Sequence, residues 1–327
     1  MKMKPNAENR SLKLWYKQPA SCWSEAIPLG NGRIGAMIYG KIGNETIDLS
    51  EITCFSGGKC HTQCNENAPD YFYKAREALL KNDYEASRIN LMKFVGKRTN
   101  YGTNLPLGHL KLNTCHELDD ISDYERSLDL DTAVSSVTYS IDNTLYSYTA
   151  FVSNPHQVMV IKMESGKENL SMSVSIDGGN NLFTSRVDEN MDLLLSGNAF
   201  EEMHSDGKTG VRFCGRLRIV PSGGTMETDG RNVFIKNAKK VLLYLALETD
   251  FNGADALENC RRRIDHALAC SYESLLDEHI KDYSPLFCRV ELHLGESEDI
   301  PTDVLLDKVR NGYTSPYLTA LMFQYGR

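Results

Sequence analysis

Val134-Ser135-Ser136-Val137-Thr138-Tyr139-Ser140-Ile141-Asp142-Asn143-Thr144-Leu145-Tyr146-Ser147-Tyr148-Thr149-Ala150-Phe151 is the stretch that decides the fold. Two segments with period-two alternation, Val134 to Ile141 and Leu145 to Phe151, flank Asp142-Asn143-Thr144. Alternation places one side-chain set on each face of an extended strand. Asp and Asn tolerate left-handed backbone angles, so the segment between them predicts a tight hairpin and antiparallel pairing.

The same texture spreads outward from this hairpin. Ile34 to Tyr39, Thr46 to Leu49, Leu110 to Leu112, Val158 to Met163, Leu170 to Ile176 and Met191 to Leu195 read as short strands, as do Val211 to Val220, Val233 to Ile235 and Val241 to Leu247. They are broken by Gly, Asn, Asp and Pro. So many short strands without intervening helices predict a mainly β chain built as a large antiparallel sandwich rather than a parallel α/β sheet. One helical insertion, about 69–95, interrupts them: Tyr73, Ala75, Leu79 and Leu80, then Leu91, Met92 and Val95, recur at helical spacing after Pro69.

Beyond Asp250 the texture changes, with Gly253 at the boundary. Residues 254–270 and 271–283 predict helices, Arg289 to Leu294 one more alternating strand, and 301–310 and 316–327 two helices begun by proline. On the last helix Leu318, Leu321, Met322 and Tyr325 make an apolar stripe, and Leu305, Leu306 and Val309 make one on the helix before. Such stripes need a surface to cover them. Two readings stand: a terminal helix docked on the sheet, or a chain cut short before the element that would cover it.

The 327 residues are 41% hydrophobic and 24% charged, which excludes disorder and low-complexity sequence and leaves room for more than one structural unit. Thirty-six basic against 44 acidic side chains give a net charge of -8, so neither nucleic acid nor an anionic membrane is expected as partner. Arg261-Arg262-Arg263 is the only dense basic run and reads as a solvated helix face. The longest clean apolar run, Val241 to Leu247, has seven residues, against the roughly 20 that a membrane span needs. The amino terminus has lysines but no apolar core of a secretory signal, so a cytoplasmic location is expected. Nine cysteines, an odd number without framework spacing, point to reduced thiols.

Few motifs carry chemistry. Gly30-Asn31-Gly32-Arg33-Ile34-Gly35 matches GxGxxG, with Glu51 near the spacing of a ribose-binding acid. A dinucleotide site needs a strand before it and a helix after it. Here Pro28 interrupts the preceding strand and Ile34 to Gly40 favours a strand, so the glycines are read as a turn into a sheet. Cys54, Cys60, His61 and Cys64 lie close together, but adjacent Cys60 and His61 suit a tetrahedral zinc poorly; no metal and no cofactor is expected. The eight histidines show no ligand-like spacing. Glu25, Asp48, Glu51, Asp129, Asp131, Glu201 and Glu202 are candidate carboxylates that the sequence does not pair. Trp15, Tyr16 and Trp23 could stack on a sugar ring or belong to the core.

Trp23-Ser24-Glu25-Ala26-Ile27-Pro28-Leu29-Gly30-Asn31-Gly32-Arg33-Ile34-Gly35-Ala36-Met37 resembles the amino-terminal part of glycoside hydrolase family 95, the inverting α-L-fucosidases with related α-L-galactosidases. Further similarities occur in the family's order. They include residues 45–56, Tyr101-Gly102-Thr103 with Pro106-Leu107-Gly108, and Asp123-Tyr124-Glu125-Arg126 with Leu128-Asp129-Leu130-Asp131-Thr132-Ala133. Phe151, Ser153, Pro155, His279-Ile280-Lys281-Asp282-Tyr283, Leu286-Phe287, Arg289-Val290 and Leu321-Met322-Phe323-Gln324-Tyr325-Gly326-Arg327 complete them. Cys54-Phe55 stands where the family usually has Leu-Trp, and the loop with Cys60, His61 and Cys64 departs from the common pattern.

The resemblance implies three regions: a β-supersandwich domain over 1–250, a helical linker over 251–288, and over 289–327 a strand and the first helices of an incomplete (α/α)6 barrel. It implies a fucose-containing oligosaccharide as substrate. It also implies that the catalytic Glu acid, and the Asn and Asp residues that position water, belong to the barrel, so no catalytic residue is expected in this chain. Trp23, Asn31, Arg33 and Tyr101 are the residues expected to face the substrate or the barrel. Two other readings remain: a standalone carbohydrate-binding or interaction module, and the amino-terminal domain of a family 65-like glycoside phosphorylase.

Overall fold

The computed structural model describes residues 12–58, 65–95, 100–114, 116, 121–167, 170–208, 210–253 and 255–327. The chain opens with β1 (Lys13–Tyr16), β2 (Ile27–Gly30), β3 (Ile34–Ile38) and β4 (Asn44–Phe55), followed by α1 (Ala68–Leu80) and α2 (Tyr84–Phe94). Next come β5 (Asn104–Thr114), β6 (Ile121–Asp129), β7 (Val134–Ile141), β8 (Thr144–Ser153), β9 (Val158–Ser165) and β10 (Leu170–Asp177). The remaining strands are β11 (Leu182–Val187), β12 (Leu193–Asn198), β13 (Arg212–Ser222), β14 (Thr225–Thr228), β15 (Val233–Ala238) and β16 (Lys240–Thr249). Helices α3 (Ala256–Leu268), α4 (Tyr272–Phe287), α5 (Thr302–Arg310) and α6 (Pro316–Tyr325) close the chain.

The strands form two antiparallel sheets. One has nine strands in the order β1-β6-β7-β8-β9-β16-β13-β12-β11, and the other seven in the order β14-β15-β10-β5-β4-β3-β2. The expected hairpin is β7–β8, with Ile141 paired to Thr144 across a two-residue turn. Asp142 and Asn143 both have positive φ, 48° and 56°, the geometry that matches the twist of antiparallel strands. Ile38, Ile47, Leu49, Leu110, Leu112 and Val174 of the smaller sheet meet Val137, Met159, Ile161, Leu217, Leu243 and Leu245 of the larger in one core.

The larger sheet is covered on its outer face as well. Phe151, Val158, Val160, Tyr244 and Ala246 pack there against Cys260, Ile264 and Ala267 of α3 and Tyr272 and Leu275 of α4. This explains why Val241 to Leu247 is continuously apolar: a strand buried on both faces has no polar side to alternate.

The structure corrects several expectations. Pro28 sits inside β2 rather than interrupting a strand, because β2 is the edge of its sheet and the missing N–H costs no ladder bond on the outer side. The glycine turn leads into β3, not into a helix, consistent with rejecting the dinucleotide reading. Arg289 to Leu294 is not a strand; it leaves α4 through a turn and a bend and is largely exposed, paired with no strand among the described residues. The insertion is two helices broken at Asn82, whose φ is 59°. Of the three arginines, Arg261 pairs on the surface with Glu258 and Asp265, whereas Arg263 turns inward to Glu248.

At the β1 edge, Leu305 of α5 and Leu318 and Leu321 of α6 join the main core, and Trp15 N donates to Thr302 Oγ1 at 3.0 Å. The buried arc of α6 is Leu318, Ala320, Leu321 and Gln324, rotated from the expected stripe. Met322 and Tyr325 are exposed, as is Val309 on α5. One side of the last helix is docked and the other is open to solvent.

Candidate functional site

The glycine turn between β2 and β3 is held by its own side chains. Asn31 Oδ1 accepts from Arg33 N at 3.0 Å and Ile34 N at 2.8 Å, while its Nδ2 donates to Ser153 O at 3.0 Å. Gly32, at φ 86°, supplies the left-handed residue that the turn requires. The turn thereby aims Arg33 inward. Its Nε donates to Gln157 Oε1 at 2.7 Å and its Nη1 to Leu247 O at 2.7 Å, with Glu51 Oε1 at 3.4 Å and Glu248 Oε1 at 3.5 Å.

Glu51 is buried and accepts from Thr53 N and Thr53 Oγ1, both at 2.6 Å. Glu248 also pairs with Arg263 of α3, whose guanidinium is pushed below its ordinary value by burial and then by the nearby Arg33 charge. Two cations against two carboxylates leave no uncompensated charge, which is the condition for keeping ions in a half-buried place. The cluster therefore fixes the turn and the end of β16 to α3; it does not hold a carboxylate free to move protons.

A second group lies further along β4. The Thr53 and Thr249 hydroxyls share a 2.5 Å hydrogen bond, and the rings of Phe55 and Phe251 lie 6.4 Å apart. Beyond them Gly102, at φ 65°, presses on Gly57 so closely that a Cβ on it would lie 2.1 Å from Gly57 N. Tyr101 is therefore displayed at the surface, half exposed, with its ring 5.5 Å from that of His204. Glu201 accepts from His204 N at 2.9 Å, Met203 N at 2.8 Å and Ser56 Oγ at 3.0 Å. Desolvation opposes its ionisation, but these donors hold the carboxyl below the usual range.

Of the four residues expected to face substrate or barrel, Asn31 and Arg33 share one turn and Tyr101 lies along β4 from them. Trp23 stands at the opposite end of β2, 61% exposed, in the short turn Trp23–Glu25. Trp15 and Tyr16 are half-buried, and Arg126 lies over the Tyr16 ring at 3.9 Å. The other candidate carboxylates are engaged locally. Glu25 accepts from Ser21 N and Oγ at 2.8 Å, Asp48 from Tyr39 OH at 2.9 Å, and Asp129 from Asp131 N at 2.8 Å and Thr132 N at 3.0 Å. Glu202 is exposed beside Glu201. Cys54, one of the four clustered ligand candidates, is in the sandwich core with its thiol pushed up to about 12 by burial and by Glu51. Cys60, His61 and Cys64 lie outside the described residues.

Gln157, Glu248, Arg263 and His204 complete these groups, and sequence reasoning missed them. Each comes from a different, distant element, so no local spacing signals it. A separate concavity of about 280 Å3 lies between α6 and the irregular segment after α4, lined by Leu292, Leu294, Tyr317, Ala320 and Gln324.

Residues 14–254 match the family described as "Glycosyl hydrolase family 65, N-terminal domain", and residues 271–327 match "Glycosyl hydrolase family 95 catalytic domain". The chain is 30% identical to "Alpha-L-fucosidase 2" of Arabidopsis thaliana, over 98% of this chain and 42% of that protein. It is 29% identical to "Probable alpha-fucosidase A" of Aspergillus niger, over 96% of this chain and 42% of the relative, and 26% identical to the protein of the same name from Aspergillus oryzae, over 96% and 46%. It thus spans less than half the length of the curated relatives it matches. By its sandwich the chain belongs to the family of glycosyl hydrolase family 65 N-terminal domains, and over nearly its whole length it is a homologue of the family 95 α-fucosidases, entering their catalytic domain at residue 271.

Proposed function

We propose that this chain is the amino-terminal β portion of an inverting α-L-fucosidase-like hydrolase acting on fucosylated oligosaccharides, and that residues 1–327 contribute no catalytic group. The alignment with the Arabidopsis α-L-fucosidase carries the proposal, because it takes in 98% of this chain but 42% of the relative. On this reading 1–250 is the sandwich domain, 251–288 the linker and 289–327 the opening of an (α/α)6 barrel.

Inversion needs one carboxylic acid to protonate the leaving oxygen and a second group to activate water on the other face, with carboxyls about 6.5–9.5 Å apart. Glu51 and Glu201 spend both their oxygens on contacts within the sandwich, and the acid and base are assigned to the barrel. The contribution of this part is positional. The rigid turn keeps Asn31 and Arg33 in bonds within the sandwich, and Tyr101 and Trp23 offer exposed aromatic surface to the barrel or to the sugar.

Incubating the purified chain with an aryl α-L-fucoside tests the assignment. No turnover is expected. Turnover that Glu51→Gln or Glu201→Gln abolishes would overturn it. The family 65 match keeps a phosphorylase reading in play. For a protein that includes the barrel, hydrolysis without inorganic phosphate decides for the hydrolase, and strict phosphate dependence decides against it.

A further inference from the structure

A second cluster of ligand-type side chains lies on the outer side of the larger sheet, where the β8–β9 turn meets α3 and α4. His156 projects from that turn and is buried. Cys270 sits at the α3–α4 junction and Glu278 on α4, both partly accessible. Their candidate ligand atoms all lie within 4.8 Å of one another. One nitrogen of His156 is 2.8 Å from Glu278 Oε2, while the other, Nδ1, is buried without a hydrogen-bond partner. Nε2 is the nitrogen that faces Glu278, so it is the one that would share an ion with the carboxylate, and Nδ1 lies on the other side of the ring.

We propose that His156, Cys270 and Glu278 form a binding site for a divalent transition-metal ion of the zinc class, joining the α3–α4 junction to the β8–β9 turn. One imidazole nitrogen, one thiolate and one carboxylate oxygen form a donor set that borderline ions favour over magnesium or calcium, which prefer oxygen alone. Zinc–ligand bonds of about 2.0–2.3 Å hold neighbouring ligand atoms roughly 3.3–3.8 Å apart, so the His156–Glu278 pair at 2.8 Å opens as the ion enters between the three groups. The thiol proton is released to solvent as the ion enters, because the thiolate is the ligand. A fourth position is left for water. The exposed ring of His266 stacks on that of His156, with centroids 5.2 Å apart.

The surroundings suit the role. Ser274 Oγ donates to Glu278 Oε1 at 3.1 Å, the kind of outer contact that orients a ligand. Asn154 Nδ2 donates to Asp282 Oδ2 at 3.3 Å, a second tie between the same turn and the same helix. Gln157, next to His156, is the residue that receives Arg33. An ion here would brace the turn that holds Arg33 in place.

The plain alternative is a hydrogen-bonded His156–Glu278 pair with a bystander thiol, and cobalt distinguishes the two. The full chain is stripped with a chelator, kept reduced with a phosphine, and titrated with Co2+. One equivalent is expected to give a near-ultraviolet thiolate-to-cobalt band that disappears in Cys270→Ser and persists in the Cys60→Ser/Cys64→Ser double variant. Affinity is expected to fall at least tenfold in Glu278→Gln and in His156→Gln. A missing band at one equivalent, or a band that survives Cys270→Ser, overturns the proposal. X-ray absorption on the zinc-loaded unaltered chain needs no variant: one sulfur at the metal supports the site, and none or two refutes it.

Discussion

Two helical pairs of this chain, α3–α4 and α1–α2, share an apolar periodicity and differ in what lies under it. α3 buries Cys260, Ile264 and Ala267, and α4 buries Tyr272, Leu275 and His279. α1 buries Ala75 alone, and α2 Ser87 alone. The α3–α4 pair lies over β8, β9, β13 and β16, whose outer faces are apolar there. The second leaves the sandwich from β4 and returns at β5, with its aromatic rings meeting one another, Phe72 and Phe94 at 5.9 Å, instead of a sheet. Periodicity makes a helix; only a facing surface turns its stripe into core.

Truncation inside α3 should therefore give the largest effect. Ile264 is fully buried between the helix and the sheet, and Ile264→Ala is expected to lower the unfolding free energy by about 2–5 kcal/mol in urea titration. Leu275→Ala on α4 belongs in the same range. A cost below about 1 kcal/mol for either would mean that the helices do not depend on their sheet contact, and the contrast between the pairs would fail.

The pH dependence sharpens the same contrast. Glu45 is buried at the start of β4, and burial pushes its carboxyl up to about 7 against the pull of the Lys41 and Tyr39 N–H groups. Its ordinary value is 4.5, so between the two values the folded chain keeps a proton that the unfolded chain has lost. Stability is then highest below the lower value and falls by about 3 kcal/mol as pH rises to the upper one. Glu45→Gln should flatten this fall when urea midpoints are compared at about pH 5 and about pH 8. Glu85→Gln on α2, where the carboxylate is exposed against Arg88, should leave it intact.

The stem of the insertion comes next in size. A Cβ on Gly57 would come within 2.5 Å of Gly102 N, a backbone atom that cannot swing aside. Gly57→Ala is expected to cost about 1–3 kcal/mol, read by thermal or urea unfolding, because the paired stem must open. The Ser56–Thr103 hydrogen bonds, N to O at 3.0 Å and Thr103 N to Ser56 Oγ at 3.0 Å, would loosen with it. A neutral result would show that the stem is not under compression.

Much of the fold is legible in the sequence where a single segment carries its own instruction. The β7–β8 hairpin is one case, since Asp142 and Asn143 are residue types that accept positive φ, and β16 is another, since its unbroken apolar run reflects cover on both faces. Legibility ends where the partner is remote. Pro28 argues against a strand only for a strand with neighbours on both sides, and residues 289–294 alternate without a strand beside them. The site obeys the same rule. Asn31 and Gly32 announce a turn, but Gln157, Glu248 and Arg263 reach Arg33 through folding alone, and so does Glu278 reach His156.

The smallest effect is the most direct probe of the insertion. Leu80 is 75% exposed at the end of α1, and Met92 on α2 is 57% exposed. Replacing both with serine removes no packed side chain, so the chain should unfold within about 0.5 kcal/mol of the unaltered protein. Helix propensity changes little, because leucine, methionine and serine differ by a few tenths of a kcal/mol. A loss above about 1 kcal/mol would place these side chains under cover in solution, and the two helical pairs would then differ in the identity of their covering surface rather than in its presence.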